Sequence, residues 1–268
     1  MDKTSLLGLI LGIIAIFVGM ILKGVNPTVL LNVPALLIIF VGTIAAVTIA
    51  FPTRDIKNIS KLFGILFKED KTSNVEELIP LFVDLATVAR REGLLALESQ
   101  VSTIEDSFLR NGLELAVDGQ TQEFIRDIMT EEIAAMEERH QTGAAIFAQA
   151  GTYAPTLGVL GAVVGLIAAL SDMNNIEALG HAISSAFVAT LFGIFSGYVL
   201  WHPFANKLKR KSKHEVKIRY IMVEGVLSIV EGQAPNVIER KLTSFLPVHE
   251  RQKYFAEGEV KNEEKASA

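Results

Sequence analysis

The chain has 268 residues, 25 Lys and Arg against 30 Asp and Glu, one Trp, no Cys, and half of its residues are apolar; its mean hydropathy is +0.38. That hydropathy is too high for an ordinary soluble domain, the missing cysteines exclude disulfides, thiolate metal sites and Cys nucleophiles, and a net charge of -5 argues against a nucleic-acid binder. The charged residues, 21% of the chain, are gathered into blocks, a pattern suited to two solvents rather than one.

A helix needs roughly 20 apolar residues to cross a bilayer core about 30 Å thick. Four stretches without Asp, Glu, Lys or Arg meet that need, 4–22, 24–53, 141–171 and 178–206. Lys3 gives the first the look of a signal peptide, but its apolar part is long and no small-x-small cleavage site precedes the second, so it reads as a retained helix. The loop after the first span holds only Lys23 as a basic residue, and the loop 172–180 holds none. Span two is followed by Arg54, Lys57, Lys61 and Lys68, and span four by Lys207, Lys209, Arg210, Lys211, Lys213, Lys217 and Arg219. Basic residues beside spans stay in the cytoplasm, so the sequence predicts a multi-pass protein of the inner (plasma) membrane with both termini and the middle segment inside. The 207–219 cluster has an alternative reading as a patch for anionic lipid or nucleic acid.

The expected fold class is an all-α integral membrane protein: spans one and two in 1–53, a helical cytoplasmic loop in 54–140, spans three and four in 141–206, a helical extension in 207–253 and a disordered tail in 254–268. Within the loop, Ser73 and Glu76 have capping-box spacing ahead of Leu78, Leu81, Phe82, Leu85, Val88 and Ala89 at helical period, and Gly93 interrupts the pattern. Thr103 and Asp106 suggest a further helix start, and Thr121 a cap for a helix that meets no strong breaker before Gly143 and so runs on into span three. Span four should likewise continue through Val230, stop near Gly232, and be followed after Pro235 by a short helix over 236–246.

No nucleotide-binding, metalloprotease or serine-hydrolase signature is present, the five His are scattered, and neither a cofactor nor a metal is implied, so the chain does not read as an enzyme. His181 and His202 bracket span four as interfacial side chains, and His140 reads as solvated. The spans are more informative. Pro155, Gly158, Ala162, Gly165 and Ala169 share one face of span three, and Ala186, Thr190, Gly193 and Gly197 one face of span four. Such faces let backbones approach closely in lipid. Either the two faces pack on each other, or they line a seam that admits a helix from another chain; a passive scaffold is the reading that follows from the first alternative alone. Pro155 frees a carbonyl near Gly151, close to the hydroxyls of Thr152, Thr156 and Thr190. None of the spans carries a carboxylate or an ammonium, so any titrating group in an ion path must come from a partner.

Taken in order and in topology, a set of motifs resembles the MotA/TolQ/ExbB family over the whole chain. They are Arg90-Arg91-Glu92-Gly93-Leu94-Leu95-Ala96-Leu97-Glu98 in the loop, Ala154-Pro155-Thr156-Leu157-Gly158 with Gly161 and Gly165 in span three, Ala189-Thr190-Leu191-Phe192-Gly193 and Pro203 in span four, and Gly232-Gln233-Ala234-Pro235 in the tail. The additional pair of spans at the start favours the flagellar-motor MotA branch over the three-span TolQ and ExbB proteins, which drive envelope machinery.

The resemblance implies a homo-oligomer, a pentamer, around a dimer of a MotB-like protein with one span each, an Asp in that span and a peptidoglycan-gripping outer domain. Protonation of this Asp against the Pro155 and Thr190 faces would turn the ring. Pro155 and Pro203 match prolines tied to torque, with Thr156, Ala162 and Thr190 on the ion path. Gly158, Gly165, Ala186, Gly193 and Gly197 are the positions expected to pack on the partner helix. Arg90 and Glu98, with Arg91 sharing the role, match the charges that meet the rotor protein FliG; from spacing alone they are ordinary solvated charges. Sodium-driven relatives carry Thr where Ala162 stands. The absence of any side-chain oxygen between Leu157 and Leu170 favours protons, while Thr156, Thr190 and carbonyls keep sodium open.

Overall fold

The computed structural model describes residues 3–68, 75–171 and 175–256. Every element among them is helical. Eight helices carry the fold: α1 Lys3–Leu22, α2 Val33–Ala50, α3 Ile59–Phe67, α4 Val75–Glu92, α5 Ser107–Val117, α6 Gln122–Ser171, α7 Ile176–Val230 and α8 Pro235–Thr243. Four of them, α1, α2, α6 and α7, are long and apolar enough to cross a membrane, which matches the four spans expected, with the second beginning at Val33 rather than Gly24. The intervening residues form a loop with a 3-10 turn at Pro27–Leu30. There the Asn32 side chain caps α2 by accepting from the Ala35 N–H at 3.1 Å.

Local sequence signals account for most helix ends. Asp106 caps α5 through a bond from the Leu109 N–H at 3.0 Å, Thr121 accepts from Phe124 N at 3.3 Å ahead of α6, and Asn175 accepts from Ala178 N at 3.1 Å ahead of α7. Gly93 and Gly232 stop α4 and α7 at φ +87° and +70°, in the left-handed region that side chains avoid. The Ser73 cap expected for α4 lies outside the described residues. Two π-helical turns have no counterpart in the sequence reading: Leu37–Val41 within α2 and Ser196–Trp201 within α7. The second ends just before Pro203, whose missing N–H cannot serve the carbonyl four residues earlier, so the wider turn absorbs a register that proline breaks.

The described residues form two compact units, one from 1–70 and 138–212, the other from 71–137 and 213–268. In the first, α3 is held to α6 and α7 by a cluster in which Phe63, Phe67, Phe147, Trp201 and Phe204 meet largely edge to face. His140 bonds the Ser212 hydroxyl at 3.1 Å and is half-buried, which corrects its reading as a solvated residue.

In the second unit, the fully buried Ile79, Phe82, Leu85, Leu97, Leu109, Leu113, Ile125, Met129, Ile221, Val226 and Ile238 form one core drawn from five helices. The Phe82 ring lies over Gly225, where an added Cβ would sit 2.5 Å from the ring. Helix α8 is fastened by the Lys241 ammonium, which reaches the Glu224 carboxylate and, at 3.1 Å, the Ser228 hydroxyl. Tyr254, placed by composition at the start of a disordered tail, instead packs on this core and donates to Glu239 Oε1 at 3.1 Å. The remainder of that expected tail, 257–268, lies outside the described residues.

Candidate functional site

The site is built on the antiparallel pair formed by α6 and α7. A Cβ placed on Gly158 would stand 2.9 Å from both the Ala189 carbonyl oxygen and Gly193 Cα, one on Gly193 would stand 2.7 Å from the Ala154 carbonyl oxygen, and Gly165 faces Ala186 at 3.2 Å. Backbone therefore lies on backbone along this line, and no third helix fits between. Gly158, Gly165, Ala186, Gly193 and Gly197, the positions expected to receive a partner's helix, make contacts within the chain here, where hydrogen at the four glycines and a methyl at Ala186 permit this close approach.

The same geometry shows what Gly197 does. Its Cβ would meet Pro155 Cγ at 2.7 Å and the Gly151 carbonyl oxygen at 2.8 Å. The carbonyl that Pro155 deprives of its helical donor is thus covered by the Gly197 backbone, where a weak Cα–H···O contact is available. Beside it the His202 ring lies flat against Gly151, within 2.9 Å of where a Cβ would be.

The other neighbours leave one side of the pair open. Ile38 of α2 packs on Gly161, and Leu157 packs on Gly42 of α2. Val199 and Phe195 of α7 pack on Gly12 of α1. With the flanks toward α1 and α2 filled, the uncovered side presents Val159, Val163, Leu166 and Leu170 from α6 and Ile183, Phe187, Ile194 and Tyr198 from α7, all exposed, Phe187 at 72%. Pro155, Ala162 and Thr190 are half-buried. At 100° per residue, all three fall between the closed seam and this open face, so they form the edges of its floor.

Along the helix axes, the contact between Gly161 and Ala189 at 3.1 Å puts Ala162 and Thr190 at one level. Pro155 meets Gly197, seven residues from Thr190, which is about 10 Å further along α7 at 1.5 Å per residue. The structure therefore brings Thr190 and Ala162 together and separates both from Pro155. Thr190 donates to the Ala186 carbonyl at 3.3 Å and Thr156 to the Thr152 carbonyl at 3.3 Å, so both hydroxyls have local acceptors and keep lone pairs free. Pro203 is exposed, one residue after the helix resumes its α register. A cavity of about 610 Å³ opens beside the loop between α1 and α2, where Val29, Leu31, Val33 and Pro34 join Thr28, Asn32, His181, Ser184 and Ser185 in its lining; the Asn32 amide donates to the Ser185 hydroxyl there. In the other unit, Arg90, Arg91 and Glu98 are exposed and pair with no described residue. Sequence reasoning missed the open face because its residues are ordinary lipid-compatible apolar ones, and only the placement of α1 and α2 distinguishes it from a buried side.

Sequence comparisons bear on this arrangement. The profile of the MotA/TolQ/ExbB proton channel family matches residues 100–221, and that of the motility protein A N-terminal region matches residues 6–93. Motility protein A of Bacillus subtilis (strain 168) is 66% identical over 265 residues, 99% of this chain and 98% of that protein. The chain belongs to the motility protein A family. Among solved structures, the flagellar MotAB stator complex from Bacillus subtilis contains a chain similar to this one, with a TM-score of 0.90 and 67% identity over 94% of this chain and 99% of that chain. C. jejuni MotAB matches with a TM-score of 0.88 and 35% identity, over 92% and 97%. Family membership thus extends through the spans and the helical unit alike, consistent with a multi-pass membrane protein.

Proposed function

We propose that this chain is a stator subunit of the bacterial flagellar motor, which assembles with a MotB-like protein into a proton channel and converts proton flow into torque on the rotor protein FliG. The observation that carries this reading is an open apolar face, edged by Pro155, Ala162 and Thr190, on a bundle whose spans contain no carboxylate or ammonium. Charge transfer through such a bundle needs a titratable side chain brought by another helix. A MotB-like span carrying an Asp supplies one, and the open face has the apolar length to receive it.

In this reading several copies, five by family resemblance, surround the partner dimer in the inner membrane, with both termini and the helical unit in the cytoplasm. An ionised Asp at the level of Thr190 finds a hydroxyl in an apolar surround; when protonated it loses its charge and its need for polar contact. The packing partner of each open face then changes, and a ring built of such faces advances relative to the dimer. The Pro155 and Pro203 discontinuities supply the local compliance, and Arg90, Arg91 and Glu98 deliver the displacement to the rotor. The match to the motility protein A N-terminal region supports a motor role over an envelope energiser.

Because the chain has no cysteine of its own, single cysteines test the seating directly. Val159→Cys and Val163→Cys should cross-link to a cysteine placed beside the partner's Asp, and Ala169→Cys, at 4% exposure in the closed seam, should not. Equal cross-linking at all three, or at Ala169 alone, rejects the open face as the partner's seat.

A further inference from the structure

Between the charges assigned to rotor contact, the second unit exposes a leucine. Gly93, at φ +87°, ends α4 and turns the chain into a 3-10 turn, Leu94–Leu97. In a 3-10 turn residues three apart lie over one another. Leu94 and Leu97 accordingly share the inward side: Leu97 is fully buried and Leu94 packs against the same core. That register forces Leu95 outward, where it is 74% exposed, more than any other large apolar side chain of this unit. Before it stand Arg90 and Arg91, on the last turn of α4, and after it Glu98, all exposed and without described partners.

An isolated exposed leucine is unremarkable. One held outward by two buried neighbours, on a turn fixed by a left-handed glycine, and bracketed by unpaired charges of opposite sign has the anatomy of a binding hot spot, an apolar anchor within a polar rim. We infer that Leu95 is the apolar anchor of the rotor-facing surface. It inserts into an apolar pocket of the rotor protein flanked by carboxylates facing Arg90 and Arg91 and by a basic group facing Glu98. The inference rests on the stator reading above and adds to it the residue that resists sliding. Charges at a rim steer and orient encounter but are screened by salt, whereas burial of a leucine is not, so a grip sustained under load draws on the latter.

The test uses the full chain in complex with its MotB-like partner, measuring binding to immobilised rotor protein and, in cells, torque at stall. Leu95→Ser, and Leu95→Gln as a second variant that keeps side-chain length, should weaken binding about tenfold or more and lower stall torque. Membrane level and co-purification with the partner should stay as in the parent. Val248→Ser, which alters an apolar residue of the same unit exposed at 62% and not flanked by these charges in the chain, should leave binding and torque unchanged. Raising the salt should weaken the parent complex while preserving the difference between the parent and the Leu95 variants. If both Leu95 variants bind like the parent while Arg90→Glu weakens binding, the contact is purely charged and the anchor is overturned, with the stator reading intact. If Arg90→Glu also binds and turns like the parent, the anchor and the rotor-facing surface fall together. A loss with Val248→Ser equal to that with Leu95→Ser would also overturn the anchor.

Discussion

At Gly193 the consequence of one methyl group follows from geometry. The added carbon of Gly193→Ala would lie 2.7 Å from the Ala154 carbonyl oxygen and 2.8 Å from Gly158 Cα, both backbone atoms that cannot rotate away. Helix propensity favours alanine, but overpacking on this scale costs about 1–3 kcal/mol. Purified Gly193→Ala should therefore unfold at lower denaturant than the parent, whereas Gly19→Ala, with nothing within 4 Å, should be neutral or slightly stabilising. Equal unfolding of the two variants would contradict backbone-on-backbone packing. Thr190 and Ala162 present a different test, since they lie at one level beside the open face. Thr190→Val removes a hydroxyl bonded only to Ala186, so it should leave protein level unchanged and reduce rotation. Ala162→Thr should not by itself confer sodium dependence, because one more hydroxyl falls short of a hard cation's coordination shell; rotation that then tracked sodium would refute the proton assignment. The spacing of small residues was legible in the sequence as two faces. Which side of them a partner takes was not, because that depends on where α1 and α2 pack.

Among the elements, the long helices and their ends follow from local signals: Asp106 and Thr121 at starts, Gly93 and Gly232 at stops. The π turn at Ser196–Trp201 has no such signal, since it results from Pro203 downstream and the tight approach of Gly197 to Pro155. Pro155→Ala and Pro203→Ala should each leave membrane level near that of the parent and slow rotation, because each restores a helical hydrogen bond that the proline removes and so stiffens its helix; unaltered rotation would remove the prolines from the coupling. Tyr254 offers a pH test in the other unit. Its phenol is pushed up to about 12, first by burial and then by the neighbouring Glu239 carboxylate. Folding thus favours the neutral phenol, so its contribution is complete below pH 10 and is lost as pH rises toward 12. The absorbance change removed by Tyr254→Phe should have its midpoint near 12; a midpoint at 10 would mean the tail is not docked.

For the molecule as a whole, four spans and a helical unit beyond them were readable because membrane crossing imposes a length that few sequences meet by chance. The rotor contact proposed for Arg90 and Glu98 comes through family resemblance, since these exposed charges carry no local signature. Arg90→Glu should weaken swimming while leaving membrane level and partner co-purification normal; loss of the protein itself would make Arg90 a folding residue. In the proposed function, proton flow through this chain and its partner turns a rotor. This is tested most directly by the rotation speed of tethered cells that lack the native gene and express this chain, with a protonophore and sodium varied separately. Rotation that collapses with the protonophore and ignores sodium is the predicted result. Rotation that follows sodium and survives the protonophore would contradict the proton path, and cells that never rotate, with the chain and its partner both in the membrane, would contradict the motor function altogether.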